Sequence, residues 1–388
     1  MASERPRSLT DSHRGGQCPV RIDSAEATTG RLGAVLRAPR GTGLTPLGPH
    51  GPWLATDLAT ARRVLTDAAG FDFPSTVSRG TDMSASTGES RTGHLVYAPL
   101  SPAQVARGRE VFRVEWHRAL QSAAISATGS EVEAMDLLRR PVARATCSAV
   151  LDLDGKARDL IADRVLARID ALAPVISSRH SPRPWSRARR GERRARAALE
   201  ESLADLLAAR DTDDTPPVIG NLLAAGIQCR SRRGAWLLVF PATHPDRGVD
   251  PDHAAWESLR MAPPTRVTAR VTTAAVSLGD AALPAGAVVP VSPLLLGRLA
   301  ALSPDQPVGL EEFCPERWRR DDVRPGARLP FGAGAHACPG RALGLTMLRD
   351  LATWSGDQRL ALSAPVSIDQ SRGILPSPAR ITVTPPTQ

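Results

Sequence analysis

A single thiol lies within a glycine-rich segment toward the carboxyl end of the sequence. The segment reads PFGAGAHACPGRALG over residues 330–344, and Cys338 lies among Gly332, Gly334 and Gly340. Glycines at this density let a backbone fold closely around an atom and direct several N–H groups toward it. Backbone donors at the start of a helix stabilise an anion, so this position favours the thiolate form that binds metals. The spacing alone is equally consistent with a buried structural cysteine in a glycine turn.

A long apolar helix is predicted over residues 215–240. Two prolines follow Thr215, as is typical of a first helical turn, and apolar residues recur from Val218 onward at spacings of three, four or seven. Gly226 lies in the interior of this helix, where glycine costs about 1 kcal/mol relative to alanine. We therefore predict that Gly226 allows another group to approach the helix backbone closely.

The cysteine segment resembles the heme-binding loop of the cytochrome P450 family, in particular of its soluble bacterial type. That loop has the pattern Phe-x-x-Gly-x-x-x-Cys-x-Gly, which is met by Phe331, Gly334, Cys338 and Gly340. The resemblance implies heme b as the cofactor and Cys338 as the axial ligand of the heme iron. It also implies that Phe331, Gly332 and Gly340 contact the heme.

Two segments upstream resemble further signatures of the family, in the expected order. The residues ESLR at 257–260 resemble its Glu-x-x-Arg helix, and FCPERW at 313–318 resembles its Pro-Glu-Arg segment with a following aromatic residue. The resemblance implies that Glu257, Arg260 and Arg317 form a buried structural triad. A spacing of three places Glu257 and Arg260 on one helix face, where a hydrogen bond between charged groups contributes about 1.5–3 kcal/mol.

Heme carries two propionate carboxylates, which need cationic partners when they are buried. The resemblance implies Arg118, Arg270 and His336 as those partners. A guanidinium matches a carboxylate with two parallel donors, and a histidine ring nitrogen also donates. Val114 stands where the family usually has Trp or His, four residues before Arg118, and His117 is the candidate replacement.

The family delivers protons through an acid and an alcohol in its long helix, and this sequence departs from that pattern. The matching segment reads AGIQCR over residues 225–230, so Gln228 replaces the acid and Cys229 replaces the alcohol. Glutamine does not titrate, and a thiol is a weak hydrogen-bond donor. Gly226 keeps the groove in the helix where oxygen would lie. We therefore predict atypical proton delivery involving Gly226, Gln228 and Cys229.

Three functions remain open from the sequence. The first is a monooxygenase in which a substrate hydroxyl, a substrate carboxyl or an ordered water replaces the missing acid and alcohol. The second is an enzyme that performs oxidative cyclisation, coupling, desaturation or rearrangement without net oxygen insertion. The third is a protein that binds heme, or a partner, without turnover. The expected substrate is a small molecule of natural product biosynthesis, and the candidate substrate contacts are Ala225, Thr265, Val267 and Leu375.

The order of predicted elements indicates the fold class. Alternating segments rich in Val and Thr over residues 266–291 predict small hairpins. Strands do not alternate regularly with helices, which argues against a doubly wound or barrel fold and favours a mainly α fold with small β-sheets. The family resemblance implies that this is the cytochrome P450 fold. We expect a flexible arm over residues 1–30 and a single heme-thiolate domain over residues 31–388. Helical patterns cover residues 57–66, 103–126, 131–151, 156–173, 193–210, 215–240 and 341–354.

Composition excludes several other classes of protein. The net charge is +9, but the basic residues are almost all arginine, with Lys156 as the only lysine, and aromatic residues make up 4%. The low aromatic content disfavours nucleic-acid binding, because proteins that bind single strands need aromatic side chains on which the bases stack. No run of about 18 apolar residues exists, and charged residues occupy the start of the sequence, so we expect a cytoplasmic protein without a membrane span. Five widely spaced cysteines favour neither a disulfide framework nor a zinc ribbon.

An arginine-dense segment over residues 179–196 suggests a protein partner. It is either a solvated helix entrance and loop or a docking face for an acidic partner, such as a carrier protein that bears the substrate. The family resemblance separately implies electron transfer from a small acidic ferredoxin and a ferredoxin reductase, which the basic character of the chain would suit.

Overall fold

The computed structural model describes most of the chain. The described residues are 30–40, 43–49, 51–73, 96–123, 129–178, 180–210, 214–243, 249–302, 309–320, 328–370 and 374–384.

Helices make up most of the described structure, as the sequence predicts. Short 3-10 helices cover Ala300–Leu302, Pro315–Arg319 and Gly334–His336. The α-helices are α1 (Gly30–Arg37), α2 (Leu58–Thr66), α3 (Pro102–Ser122), α4 (Ala134–Leu151), α5 (Gly155–Ser177), α6 (Arg187–Ala208), α7 (Pro216–Ala242), α8 (Pro251–Met261), α9 (Pro293–Leu296) and α10 (Arg341–Gly356).

The strands form small sheets that lie beside the helices. One sheet has the order β1-β2-β8-β5-β3, a second has the order β4-β12-β9, and β6-β7 and β10-β11 are antiparallel pairs. The strands are β1 (Leu44–Pro46), β2 (Trp53–Ala55), β3 (Phe71–Asp72), β4 (Ser130–Glu133), β5 (Thr268–Thr272), β6 (Val276–Leu278), β7 (Ala281–Leu283), β8 (Val288–Val291), β9 (Arg359–Leu362), β10 (Ser367–Asp369), β11 (Leu375–Ser377) and β12 (Arg380–Thr384).

Capping side chains explain where several helices begin. The carboxylate of Asp57 accepts a hydrogen bond from the Thr60 amide at the start of α2. Ser101 and Gln104 form a reciprocal capping box at the start of α3. Ser186 accepts a hydrogen bond at the start of α6. Each capping residue satisfies a backbone donor that has no partner within the helix.

The second half of α7 forms the centre of the larger core. Residues 231–240 are all buried, so this part of the helix contacts protein on every side. Trp236 stacks on Phe240 with 5.1 Å between ring centroids, and Phe240 stacks on Phe313 at 5.2 Å. The indole nitrogen of Trp236 donates to the Ile374 carbonyl at 3.0 Å. These contacts hold α7 in a fixed position relative to the carboxyl-terminal strands.

A smaller core lies between the five-stranded sheet and the short helices beside it. Leu54 from β2 and Val289 and Val291 from β8 are fully buried there. Val64 from α2 and Leu295 from α9 pack against the same cluster. This core supports α2, the helix that contacts the 3-10 turn Gly334–His336.

A buried carboxylate joins α8 to the 3-10 helix Pro315–Arg319. Glu257 accepts hydrogen bonds from Arg260 at 2.7 and 2.8 Å and from Arg317 at 3.0 Å. It also accepts from the Cys314 amide and the Trp318 indole nitrogen, each at 2.9 Å. The structure therefore brings the predicted triad together and adds two donors to it.

The charge of Glu257 is stabilised by these donors. Burial alone would raise the pKa of Glu257, but the charge and hydrogen bonds of Arg260, together with the charge of Arg317, lower it below its usual value. Arg260 also donates to the carbonyls of Gly297, Leu310 and Glu312. The triad therefore ties three separate chain segments to α8.

Some element boundaries differ from the sequence predictions. A helix was expected from residue 131, but residues 130–133 form β4, which pairs with β12 near the end of the chain. Helix α6 begins at Arg187 rather than at residue 193, because Ser186 caps it. The proposed arm lies almost wholly outside the described residues, so the division at residue 30 stays a prediction. No helix within the described ranges is long and apolar enough to span a membrane.

We expect Glu257→Gln to lower the free energy of unfolding by about 3–5 kcal/mol, because it leaves two buried arginines without a countercharge. Urea denaturation measures the effect. The control is Glu131→Gln, since Glu131 forms an exposed ion pair with Arg380 at 3.6 Å, and it should cost less than about 1 kcal/mol. Because folding lowers the pKa of Glu257, its contribution is present above the ordinary glutamate pKa and is lost as the pH falls through the folded value. The variant should therefore lose less stability in acid than the wild type, and equal losses in the two proteins would contradict this role.

Candidate active site

A cavity of about 520 Å³ lies between α4, α7 and the segment that leads into α10. Apolar side chains such as Leu100, Val142, Leu348 and Leu351 line much of it. Cavities of this size that combine apolar walls with a few polar groups are typical of sites for small molecules and cofactors.

Backbone hydrogen bonds shape the loop that carries Cys338. The Cys338 amide donates to the Phe331 carbonyl at 2.9 Å, and the Arg341 amide donates to the Cys338 carbonyl at 3.3 Å. Gly332 and Gly334 have φ angles of +71° and +72°, which side-chain-bearing residues rarely adopt. The loop therefore returns on itself and presents an exposed Cys338 thiol at the cavity, directly before α10.

Helix α7 supplies the part of the cavity wall that carries the predicted catalytic segment. Ala225, Gly226 and Cys229 all line the cavity together with Cys338. Gln228 is partly buried on the same helix and does not line the cavity. The predicted acid position therefore points away from this space, whereas the predicted alcohol position reaches it.

Two arginines that the sequence analysis did not select also line the cavity. Arg230 donates to the hydroxyl of Thr146 at 3.1 Å and to the Gly340 carbonyl at 3.3 Å. A Cβ atom at Gly226 would lie 2.9 Å from this guanidinium, and a Cβ atom at Gly340 would collide with it. Burial lowers the pKa of Arg230, while the charges of Cys338 and Cys229 act in the opposite direction. The two glycines therefore make room for Arg230.

Arg233 lies one helical turn further along α7. It is 6% exposed, and its guanidinium lies over the Phe331 ring at 5.0 Å from the centroid. Its Nε atom has no hydrogen-bond partner among the described residues. Burial lowers the pKa of Arg233 to about 10, with Cys229 and Cys338 opposing the change and Arg230 adding to it. Arg233 is therefore still charged at neutral pH.

The predicted propionate partners lie outside the cavity lining and do not form one group. Arg270 stacks on the Phe73 ring at 3.7 Å, and the His336 ring meets the same phenyl ring edge-on with 4.6 Å between centroids. Burial lowers the pKa of Arg270 to about 10, with Asp72 opposing the change. Phe73 therefore brings Arg270 and His336 to one place.

Arg118 points elsewhere. Its guanidinium forms an ion pair with Glu115 at 2.7 Å and is largely exposed on α3. Glu115 is itself 3% exposed and also pairs with Arg144 and Arg158, so a buried carboxylate attracts all three arginines. His117, the candidate replacement, is exposed on the same helix. Arg118 therefore pairs with Glu115 in this structure, and its role toward a propionate stays a prediction.

Three of the four predicted substrate contacts also lie away from the cavity. Thr265 is exposed, Val267 packs against the smaller core, and Leu375 is buried in β11. Ala225 alone of the four lines the cavity among the described residues. Helical spacing could have identified the missed arginines, since Arg230 and Arg233 follow Gly226 by four and seven residues.

Comparison with known proteins identifies the fold. The structure superimposes on a retinoic acid-bound cyanobacterial CYP120A1 with a TM-score of 0.67 at 17% identity, covering 87% of this chain and 90% of that one. It superimposes on P450 OxyD, which is involved in the biosynthesis of vancomycin-type antibiotics, with a TM-score of 0.67 at 19% identity, covering 90% and 95% of the two chains. The fold is that of the cytochromes P450.

Sequence comparison finds the same family over part of the chain. The cytochrome P450 family pattern matches residues 252–354. The chain is 45% identical over 93 residues to cyclooctat-9-en-7-ol 5-monooxygenase of Streptomyces melanosporofaciens, which is 23% of this chain and 19% of that protein. It is 40% identical over 93 residues to cyclooctatin synthase of the same organism, with the same coverage. The aligned part thus spans about a fifth of each relative, and the similarity to cytochromes P450 in sequence covers residues 252–354.

The cavity fits the heme that this family carries. The Cys338 thiol opens into mostly apolar space, and Gly226 and Gly340 bring two helix backbones to that space without Cβ atoms. A soft thiolate ligand suits iron. The Arg230 guanidinium lies between the two glycines, so this side chain has to share the cavity with the cofactor.

We expect Gly334→Ala to disturb the cysteine loop. Its φ of +72° is unfavourable for alanine, and the added Cβ atom would collide with the Leu65 carbonyl on α2. The free energy of unfolding should fall by more than about 1 kcal/mol, as measured by urea denaturation. Gly356→Ala at the end of α10 is the control, because no atom lies within 4 Å of the added Cβ atom. A loss of stability no greater than that of the control would show that the loop does not depend on this conformation.

Proposed function

We propose that this chain is a heme-thiolate oxidoreductase that hydroxylates or otherwise oxidises a small molecule, using O2 and electrons from a ferredoxin. The observation that carries the proposal is the Cys338 thiol, which opens into the same cavity as Gly226 and Cys229 of α7. A thiolate-ligated heme bound there supplies oxygen activation, because the thiolate donates electron density that favours O–O cleavage. Insertion consumes O2, two electrons and two protons, and yields one hydroxylated product and one water.

The side chains around the cavity would have distinct roles. Cys338 would ligate the iron, and Phe331, Gly332 and Gly340 would contact the porphyrin. Arg270 and His336, which both contact Phe73, would bind a propionate. Arg118 donates to Glu115 through Nη1 in this structure, and its other guanidinium nitrogens would bind the second propionate.

Proton delivery to the cavity would be atypical. Cys229 lines the cavity at the alcohol position but is a weak hydrogen-bond donor, and Gln228 carries no proton to relay. A hydroxyl or carboxyl group of the substrate, or an ordered water, would then supply the proton. Gly226 would keep space open beside the helix backbone.

A second candidate is oxidation without net oxygen insertion. The replacement of both proton-relay residues, Gln228 for the acid and Cys229 for the alcohol, favours it. Cyclisation, coupling, desaturation or rearrangement would remove hydrogens or leave the mass of the substrate unchanged. Insertion would instead add one oxygen atom derived from O2. If the chain binds heme but shows no turnover with any reductant or with peroxide, both candidates are excluded and a binding role is supported.

The proposed substrates are small molecules of natural product biosynthesis, converted in the cytoplasm. Supporting relatives are an enzyme named for cyclooctat-9-en-7-ol and a P450 described as involved in antibiotic biosynthesis. The apolar cavity lining suits a molecule with a hydrocarbon body.

Acidic partners would suit the charge of the surface. The net charge is +9, and opposite charge accelerates association with an acidic ferredoxin, itself reduced by a ferredoxin reductase. Helix α6 begins with the sequence RARRGERR and has no acidic residue in its first turn. Beside it, Trp185 is 65% exposed, and Arg183 lies over its ring. This region could receive an acidic carrier protein with a tethered substrate.

We expect Cys338→Ser to abolish the red-shifted Soret band that the dithionite-reduced protein should give under carbon monoxide, because serine removes the thiolate ligand. Cys229→Ser is the matched control: it removes the other thiol that lines the cavity and should leave the band in place. A persistent band in Cys338→Ser, or its loss in Cys229→Ser, would assign the ligand elsewhere. The absence of the band from the heme-loaded wild type would refute the proposed function itself.

We expect the double variant Gln228→Asp with Cys229→Thr to restore proton delivery. The assay contains a ferredoxin, its reductase and NADPH in air. The double variant should release less hydrogen peroxide per NADPH consumed than the wild type, because a proton donor in the cavity favours cleavage of the O–O bond over release of hydrogen peroxide. Gln228→Asn with Cys229→Val is the control, since it has nearly the same shape without an acid or a hydroxyl. Equal peroxide yields in all three proteins would show that these positions do not limit proton delivery.

A further inference from the structure

One face of α7 carries an unusual pair of charges into the cavity. Gly226, Arg230 and Arg233 are spaced by four and three residues, so they lie along the same side of the helix. Both arginines line the cavity beside Cys338. A helix face directed at an apolar cavity normally carries apolar residues, because a buried charge is unfavourable unless it is paired.

Neither arginine has a carboxylate partner in the described structure. Among the described residues that line the cavity, Asp214 is the one acidic side chain. It precedes α7, and the helix rises about 20 Å between Pro216 and Arg230. Asp214 instead lies near Tyr97, whose pKa it helps to raise after the larger effect of burial. The inner part of the cavity is therefore positively charged.

The hydrogen bonds of the two guanidiniums are also incomplete. Among the described residues, Arg230 donates hydrogen bonds to two neutral oxygen atoms, those of Thr146 and Gly340. The Nε atom of Arg233 is buried without a partner in the part of the chain that the structure describes. Burial lowers the pKa of Arg233 to about 10, which shows that the folded chain disfavours its charge while leaving it protonated at neutral pH. An anion in the cavity would relieve this cost.

We propose that Arg230 and Arg233 form a carboxylate-binding subsite of this cavity. The planar guanidinium donates two parallel hydrogen bonds that match a carboxylate, and the absence of Cβ atoms at Gly226 and Gly340 lets the Arg230 guanidinium lie between the two glycines in the wall of the cavity. The apolar walls formed by Leu348, Leu351 and their neighbours would hold a hydrocarbon body. Where the substrate supplies the carboxylate, the substrate class is an acid with an apolar body. This inference rests on the proposed function for the identity of the cavity as a substrate site.

The carboxylate has two possible sources, an acidic substrate or a heme propionate, and binding measurements distinguish them. The probes are dodecanoate and dodecan-1-ol, which differ only in the head group, titrated calorimetrically into the heme-free and the heme-loaded chain at neutral pH. We expect the heme-free wild type to bind dodecanoate about tenfold or more tightly than dodecan-1-ol, because only the carboxylate accepts charge-assisted hydrogen bonds.

Variants assign the preference to the two arginines. Arg230→Met and Arg233→Met should each remove most of the preference and leave the affinity for dodecan-1-ol nearly unchanged. Arg233→Lys, which keeps the charge but loses the two parallel donors, should retain part of it. Arg210→Met is the matched control, because Arg210 lines the cavity but is exposed and separate from α7. Thermal unfolding without ligand tests folding: Arg233→Met should melt at or above the wild-type temperature, since it removes an unpaired buried charge.

Each outcome has a definite meaning. A preference for dodecanoate that persists in the heme-loaded chain supports an acidic substrate. A preference for dodecanoate that disappears on heme loading supports a heme propionate as the source of the carboxylate. In that case the methionine variants should bind heme more weakly than the wild type does, but should bind heme dimethyl ester equally well. Equal binding of the two probes to the heme-free wild type, or an unchanged preference in both methionine variants, would overturn the subsite. These titrations do not use the carbon monoxide spectrum, so a missing thiolate band would refute the proposed function without deciding the subsite.

Discussion

The buried carboxylate of Glu257 is the constraint on which the arrangement of the carboxyl-terminal half depends. Its two oxygen atoms accept five hydrogen bonds, two of them from Arg260 and one from Arg317. A buried carboxylate is costly unless donors pair with it, so the segments that supply these donors meet at α8. Phe313, beside this cluster, stacks on Phe240 of α7. The same interaction that fixes the 3-10 helix therefore also orders the surroundings of the helix that forms the cavity wall.

Local signals in the sequence account for most of the helices and for the cysteine loop. Asp57 and Ser186 cap helices through contacts with residues three positions away, and the triad begins with a pair of residues on one helix turn. Such short-range geometry is independent of the remainder of the chain. Strand β4 shows the limit, because residues that resemble a helix start instead pair with β12, some 250 residues later. Pairing across that distance leaves no local pattern to recognise.

The direction of long side chains was the least predictable part of the site. Arg118 follows the family pattern in sequence, yet the buried Glu115 attracts its guanidinium, together with those of Arg144 and Arg158. On α7, Arg230 and Arg233 were not among the predicted site residues, yet both line the cavity. In both cases the direction of the arginine side chain depends on whether a carboxylate lies within reach. The packed structure determines this, and the local sequence does not.

The start of α6 concentrates positive charge where a helix already has the positive end of its dipole. Its first turn contains arginines and no acidic residue. Repulsion among these groups weakens the fold locally, and dissolved ions screen repulsion as effectively as they screen attraction. A higher ionic strength should therefore stabilise this end of the helix, whereas it would destabilise a surface that is held together by salt bridges. Low-salt buffers would then destabilise the first turn of α6, where these arginines lie.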